Sequence, residues 1–314
     1  MHTLPVSAIV PTRNRPEVFR ETLASLEKQQ LFPAELIVVD ASDDAKTRDM
    51  LGELPERLGS LCSIRWMPAD ICGAAAQRNQ GIPIATQPVI WFFDDDILFE
   101  PECVCRLWQS LQSEARLGGV NAMIVNQRYQ PPGWVSRTLF QVLRGHAETT
   151  YAGLVIGPAV NLLPEDRDDL PEVVAVEWMN TTCTMYRREA LPAPPFDSVF
   201  TGYSMMEDLT LSLRVGKKWQ LANVRTARIF HDSQPGTHKA DVRALAAMEL
   251  ANRHYVMTRV LEQTHTSAYL KLLLWEMFQL LVCATDRSTR SKLLQILKGK
   301  ILGFREIRRR AQKV

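Results

Sequence analysis

The chain has 314 residues, 46% of them hydrophobic, and a formal net charge of +2. These values suit one large globular domain, or a domain with an appendage, and give no ground for expecting a nucleic-acid partner. Cys62, Cys72, Cys103, Cys105, Cys183 and Cys283 are spaced for neither a zinc site nor a compact disulfide framework, so they read as reduced thiols of a cytoplasmic protein.

Residues 1–5 lack the basic and apolar regions of a signal peptide. Val6–Val10 is then a buried strand ending at Pro11. Residues 17–30 carry helical spacing, with Phe19, Leu23 and Leu26 on one face. Leu36–Val39 is a second strand ending at Asp40, Ala45–Leu58 a helix, and Ser63–Met67 a short third strand. A helix over Ala74–Ala85 should be ended or distorted by Pro83. Val89–Phe93 is the fourth strand, Pro101–Ser113 a helix opening on its proline, and Val120–Val125 a fifth strand. The alternation predicts an α/β protein with a doubly wound, mostly parallel sheet. Arg128–Pro171, rich in Pro and Gly, reads as an irregular excursion. Beyond it come a strand at Cys183–Tyr186, a helix at Glu207–Val215 and a strand at Ala227–Phe230. From Thr237 to Val314 the pattern is helical. The predicted division is therefore a catalytic domain over residues 1–235 and a helical C-terminal extension over 236–314.

Ligands of such sheets gather at the carboxyl ends of the strands. Strand one ends in Thr12-Arg13-Asn14, strand two in Asp40-Ala41-Ser42-Asp43-Asp44 and strand four in Asp94-Asp95-Asp96, so three strands deliver polar groups to one edge. Three adjacent carboxylates are costly unless a cation neutralises them. Oxygen ligands suit Mg2+ or Mn2+, ions usually shared with substrate phosphates; a solvated turn is the plainer account. Glu207-Asp208 open a helix, where acids complement the helix dipole. Near a metal and phosphates either would also serve as a general base, and spacing does not choose between them. His231 closes a strand, as a polar cap or as an imidazole completing a carboxylate metal site. In residues 74–81 the small side chains allow close helix–sheet packing, while Arg78 is a fork for phosphate or an ordinary surface arginine. The turn at residues 11–16 has no glycine, which argues against a dinucleotide oxidoreductase.

Taken in order, these segments resemble the family 2 glycosyltransferases of the GT-A fold. Val10-Pro11-Thr12-Arg13-Asn14 is similar to the opening strand and loop that hold the nucleotide base. Residues 37–44, with Asp40 and Asp43, resemble the segment that binds base and ribose. Arg78-Asn79-Gln80-Gly81 resembles the helix beside the diphosphate, and Phe93-Asp94-Asp95-Asp96 the DxD motif. The resemblance implies that Asp94 and Asp95 face the nucleotide and that Asp96 ligates the metal with His231. It also implies that Glu207-Asp208 is the ED motif, with Asp208 as the base. The likeness covers residues 5–232. It departs at Asn180-Thr181-Thr182 and at Pro194-Pro195, where the family often has glycines, so the acceptor side is where analogy transfers least.

The implied reaction is metal-dependent, inverting transfer of a sugar from a nucleotide diphosphate sugar to an acceptor hydroxyl, in surface polysaccharide or glycolipid assembly. The alternatives are a metal-dependent nucleotidyltransferase and a non-catalytic protein that binds glycan or partner. In the tail, the apolar run 271–282 is broken by Lys271 and Glu276, so no clear spanning helix is expected. Residues 292–314 mix Leu, Ile and Phe with eight basic residues and one acidic residue. That pattern suits peripheral contact with an anionic membrane on its cytoplasmic face, and a lipid-linked acceptor.

Overall fold

The computed structural model describes residues 2–53, 56–234 and 241–312. The chain divides into two compact units. One comprises residues up to 129 with 152–154 and 163–234; the other takes in 130–151, 155–162 and the chain from 235 onward. The predicted boundary at 235 falls outside the described residues.

The first unit is built on one mixed sheet. Strands β1 (His2–Thr12), β2 (Leu31–Asp40), β3 (Ser63–Pro68) and β4 (Val89–Phe93) form its parallel half, in the order β3-β2-β1-β4. β10 (Cys183–Arg187) then pairs antiparallel with β4 and with β6 (Leu117–Ile124). β6 runs parallel to β11 (Gln220–His231), which also pairs antiparallel with β5 (Ile97–Phe99) and β9 (Val173–Val176). β1 and β2 pair in register from His2↔Leu31 to Thr12↔Asp40, so both strands are longer than their apolar centres suggested. Val6, Val10, Leu36 and Val38 pack on Phe19, Leu23 and Leu26 of α1 (Pro16–Glu27), the predicted face of that helix.

α2 (Lys46–Gly52) stops at Gly52 and α3 (Glu56–Leu61) follows, so the single helix expected over 45–58 is two; residues 54 and 55 lie outside the description. α4 (Ala74–Gly81) gives way to a 3-10 turn at Ile82–Ile84, where Pro83 was expected to end it. A Cβ on Gly81 would stand 2.6 Å from Ile9 Cγ2, so α4 lies close on β1 only because that position has no side chain. α5 (Cys103–Ser113) does not begin at Pro101: Glu102 takes the left-handed conformation (φ 64°), which keeps Pro101 in a turn outside the helix.

The excursion at 128–171 is not irregular throughout. α6 (Trp134–Arg144) buries Leu139, Phe140 and Leu143 and closes on Gly145 at φ 94°. β7 (Val155–Ile156) and β8 (Val160–Asn161) form a hairpin after it. The Pro-Gly run at 131–133 obscured a helix that it only introduces. α7 (Glu207–Gly216) belongs to the first unit. The second unit adds α8 (Val242–Tyr255), which runs into a π-turn, α9 (Thr266–Thr285) and α10 (Leu293–Ala311). Gly299 and Gly303 let α10 lie against α8, since a Cβ at Gly299 would run into the Arg243 carbonyl oxygen. α9 is long and apolar enough, by length and composition, to cross a membrane, which the charge-broken sequence had not suggested.

Candidate active site

The turn between β4 and β5 positions the three aspartates. β4 lies inside the sheet and β5 at its far edge, so the chain must cross in residues 94–96. The Asp94 N–H donates to Thr182 O (3.0 Å), and the Asp232 N–H donates to Asp96 O (2.8 Å). The antiparallel register Ile97↔His231 then sets the end of β11 beside Asp96. His231 Nε2 is 3.1 Å from Asp96 Oδ1, and Gln127 Nε2 lies 3.3 Å from the other ring nitrogen. From beneath, α1 fixes the turn: Thr22 Oγ1 donates to Asp95 O (2.8 Å) and accepts from the Ile97 N–H (3.2 Å).

Neighbouring side chains at this turn point to different surroundings. Asp94, Asp96 and His231 each offer one ligating atom, and these lie within 4.8 Å of one another. Asp95 turns away, accepting from Thr12 Oγ1 (2.7 Å) and approached by Arg15 Nη1 (3.4 Å). Burial, reinforced by the charge of Asp96, pushes the Asp95 carboxyl up to about 7. Burial also acts to raise Asp96, but its hydrogen bond with His231 and the positive charge of Arg15, 3.3 Å away, bring it below the ordinary value. Two carboxylates and an imidazole so closely grouped form a donor set that fits Mg2+ or Mn2+.

Arg78 joins this turn to the opening of α7. Its side chain is 3% exposed, with Nη2 2.5 Å from Asp94 Oδ1 and Nη1 3.6 Å from Glu207 Oε1. Phe196 lies under the guanidinium at 5.7 Å, held where it is by reciprocal hydrogen bonds with the Asn79 amide. Arg78 is thus neither a surface arginine nor an open fork. α7 is entered through Gly202, Ser204 and Met206, all with positive φ, and Gly202 rests on the backbone of Gly73 at the start of α4. Asp208 Oδ1 accepts from the Leu209 N–H at 2.7 Å. Burial lifts the Asp208 carboxyl to about 6, against the lowering effect of that N–H and of Arg78. Glu207 is raised well above its usual range by burial and by Asp208. Burial and the same carboxylates also raise the phenol of Tyr203, which is 41% exposed.

The predicted nucleotide residues divide into a rim and a floor. At the rim, Asn14 and Asp43 exchange two hydrogen bonds (2.8 and 2.9 Å), and Arg13 reaches Asp43 at 3.8 Å. Asp40 is buried below, accepting from Trp66 Nε1 (3.0 Å) and the Ser42 N–H (2.9 Å). Pro11 and Thr12 are buried in the end of β1. Gln77 of α4 clamps the two strand ends, donating to Thr12 O (3.0 Å) and Val39 O (2.7 Å). Sequence reading passed over Arg15, Gln77 and Gln127. Arg15 had a usable signal, being a cation in the same short loop as Arg13 and Asn14, at an edge with three adjacent acids. Gln77 and Gln127 had none.

Comparison with known proteins gives three findings. The family described as Glycosyl transferase family 2 matches residues 7–191. Validoxylamine A glucosyltransferase of Streptomyces hygroscopicus subsp. limoneus is 30% identical over 107 residues, which make up 33% of this chain and 23% of that protein. The match thus spans about a quarter of the length of the curated relatives. Among solved structures, a mannosyltransferase from Pyrobaculum calidifontis in complex with GDP-Man and Mn2+ superposes with a TM-score of 0.56 at 12% identity, covering 97% of this chain and 88% of that one. GalNAc-T7 with UDP, GalNAc and Mn2+ gives 0.52 at 15% identity, covering 72% and 43%. At these identities the structural likeness is one of fold.

Proposed function

This chain belongs to glycosyl transferase family 2, and on that premise we propose that it transfers a sugar from a nucleotide diphosphate sugar to an acceptor hydroxyl with inversion at the anomeric carbon. The observation that carries the reading is the placement of Arg78, which ties Asp94 of the ligand cluster to Glu207 of the acidic pair. On this reading, donor-side and acceptor-side chemistry share one sheet edge.

The rim formed by Arg13, Asn14 and Asp43, above buried Asp40, takes the nucleoside. Positioning of this kind itself lowers the barrier. Asp94, Asp96 and His231 would hold a divalent ion, whose charge favours departure of the nucleoside diphosphate. The solved mannosyltransferase and GalNAc-T7 both contain Mn2+. On the other side of the sugar, Asp208 accepts the proton of the acceptor hydroxyl as its oxygen bonds to the anomeric carbon. The bond from that carbon to the diphosphate oxygen breaks, and the diphosphate keeps the electron pair. A carboxyl lifted to about 6 is ionised at neutral pH yet basic enough for this role. Glu207, raised well above its usual range by burial and by Asp208, lies beside this base and 3.6 Å from Arg78. The acceptor we propose is a glycan or lipid-linked glycan, in surface polysaccharide or glycolipid assembly at the cytoplasmic face of a membrane.

The test is incubation with a panel of nucleotide diphosphate sugars and Mn2+, with and without excess EDTA. Release of nucleoside diphosphate that EDTA abolishes supports the reading. Release of sugar 1-phosphate from these donors, or of pyrophosphate when a nucleoside triphosphate and a sugar 1-phosphate replace them, identifies a nucleotidyltransferase instead. Donors that raise the melting temperature but are never turned over, under any acceptor supplied, identify a binding protein.

A further inference from the structure

The helices of the second unit bury an ion network and leave many apolar side chains exposed. Their mutual contacts run through charge. Lys300 of α10 lies 2.6 Å from Glu276 of α9 and 2.9 Å from Glu249 of α8, while Arg253 of α8 lies 2.9 Å from Glu249 and 3.6 Å from Glu276. An apolar cluster of Leu250, Met257, Ala268 and Leu272 accompanies them, and Trp275 of α9 is buried against Phe140 of α6. A second set of apolar side chains on α9 and α10 faces outward. On α9, Leu270, Leu273, Leu274, Met277 and Leu281 recur at helical spacing and are 41–62% exposed. On α10, Leu294, Leu297, Ile301 and Phe304 do the same at 40–63%. A helix packed in a water-soluble bundle shows the opposite arrangement, and exposed apolar stripes of this length mark a surface that meets something.

Charge identifies what that is. Lys298, Arg305 and Arg308 fall on the same stripe of α10 as its apolar residues, at the i+4, i+11 and i+14 positions from Leu294. Among the described residues 287–312 every exposed charge is basic, and the one acid, Glu306, is paired with Arg309 and Arg310. Two copies meeting through this face would set basic stripes against each other. A bilayer surface with anionic headgroups accommodates both components, apolar side chains at the acyl boundary and Lys/Arg at headgroup level. Crossing the bilayer does not fit. Although α9 has a window of mean hydropathy 1.3, Lys271 donates to Leu143 O (2.8 Å) and Glu276 is tied to Lys300, so a span would carry the whole ion network into hydrocarbon.

We propose that the outward stripes of α9 and α10 form the face on which this chain lies in the plane of an anionic membrane surface. The inference deepens the membrane placement proposed above and rests on it, but it does not depend on sugar transfer. It is tested by floating the full chain with vesicles of phosphatidylcholine alone or with 30% phosphatidylglycerol. Expected is strong partition onto the anionic vesicles only, weakened by salt and released by alkaline carbonate. The triple variants K298E/R305E/R308E and the milder K298Q/R305Q/R308Q should lower partition, by roughly a hundredfold for the first. L273S/L274S/F304S should abolish it while keeping the far-UV spectrum and melting temperature of the parent. Asp208→Asn should float like wild type, which separates this face from the catalytic reading. The proposal is overturned by equal binding to both vesicles, by variants that bind like wild type, by carbonate-resistant insertion, or by a lipid-free dimer that L273S/L274S/F304S dissociates. If flotation fails while nucleoside diphosphate is still released, the surface is wrong and the enzyme reading stands.

Discussion

Both units bury ionisable groups, but they leave them in opposite states. In the helical unit, Glu249 resists the effect of burial because Arg253 and Lys300 surround it, and its carboxyl is brought down to about 2. At the sheet edge, burial prevails at three carboxyls: Asp95 is lifted to about 7, Asp208 to about 6, and Glu207 rises with them, while Asp96, bonded to His231, is lowered. The nearby cations, Arg15 and Arg78, are each divided between two carboxylates. The comparison teaches that a saturated ion network acts as structure, whereas an acid-rich one with too little positive charge is prepared for a cation and a proton.

Four experiments sharpen or break that contrast. The largest effect belongs to Asp208→Asn, which should keep donor binding by calorimetry and lose about a thousandfold in turnover. In the parent enzyme kcat/KM should rise with pH through about 6 and then level off, because the base must be ionised. Near-normal turnover in the variant would remove Asp208 from its role. Next comes Lys300→Met, which leaves Glu249 and Glu276 to share Arg253 and should cost about 3–5 kcal/mol in urea unfolding. Since the folded carboxyl of Glu249 lies below its ordinary value of 4.5, its share of stability, about 3 kcal/mol, is present above pH 4.5. That share is lost as the pH falls toward 2, and a melting profile flat over this range would refute the assignment.

Smaller still is Gln127→Ala, which removes the Gln127 contact to His231 Nδ1 and should weaken Mn2+ binding about tenfold, read by electron paramagnetic resonance. An unchanged affinity would take His231 out of the ligand set. The smallest is Asp95→Asn. In the parent with EDTA, the raised carboxyl of Asp95 favours the folded state at low pH and opposes it as the pH climbs through 7. The amide should flatten that slope and leave donor affinity within about twofold. A large loss of donor affinity would instead place Asp95 in contact with nucleotide.

What could be read in the sequence followed local pattern. Strand β4, the strand at Cys183, the start of α7 and the acidic clusters were all legible, because apolar runs and the polar residues that end them are contiguous. Glu102 was not, since its left-handed backbone leaves no mark on composition. The helix at Trp134 was hidden by its Pro-Gly lead-in. Strand β5, three residues long, carries too little pattern to be seen, yet its register on β11 is what brings His231 to Asp96. The resemblance assigned Asp94 to the nucleotide side, and the fold places its carboxylate within 4.8 Å of the ligand atoms of Asp96 and His231 as well. For Arg78, the sequence offered a phosphate fork or a surface arginine, whereas its burial between two acids is a product of three segments meeting.

The pairing of β5 with β11 has a consequence for how the protein is made. Asp96 and His231 stand 135 positions apart, and nothing short of docking the final strand brings them together. On the ribosome, a growing polypeptide would carry its aspartates long before the imidazole arrives, and contacts so distant in the chain form late. On the proposed metal reading, tight capture of a divalent ion would signal that synthesis has passed β11 and that the sheet has closed. Pulse refolding with the ion added at successive delays would date that event, and capture before β11 docks would show that the aspartates suffice by themselves.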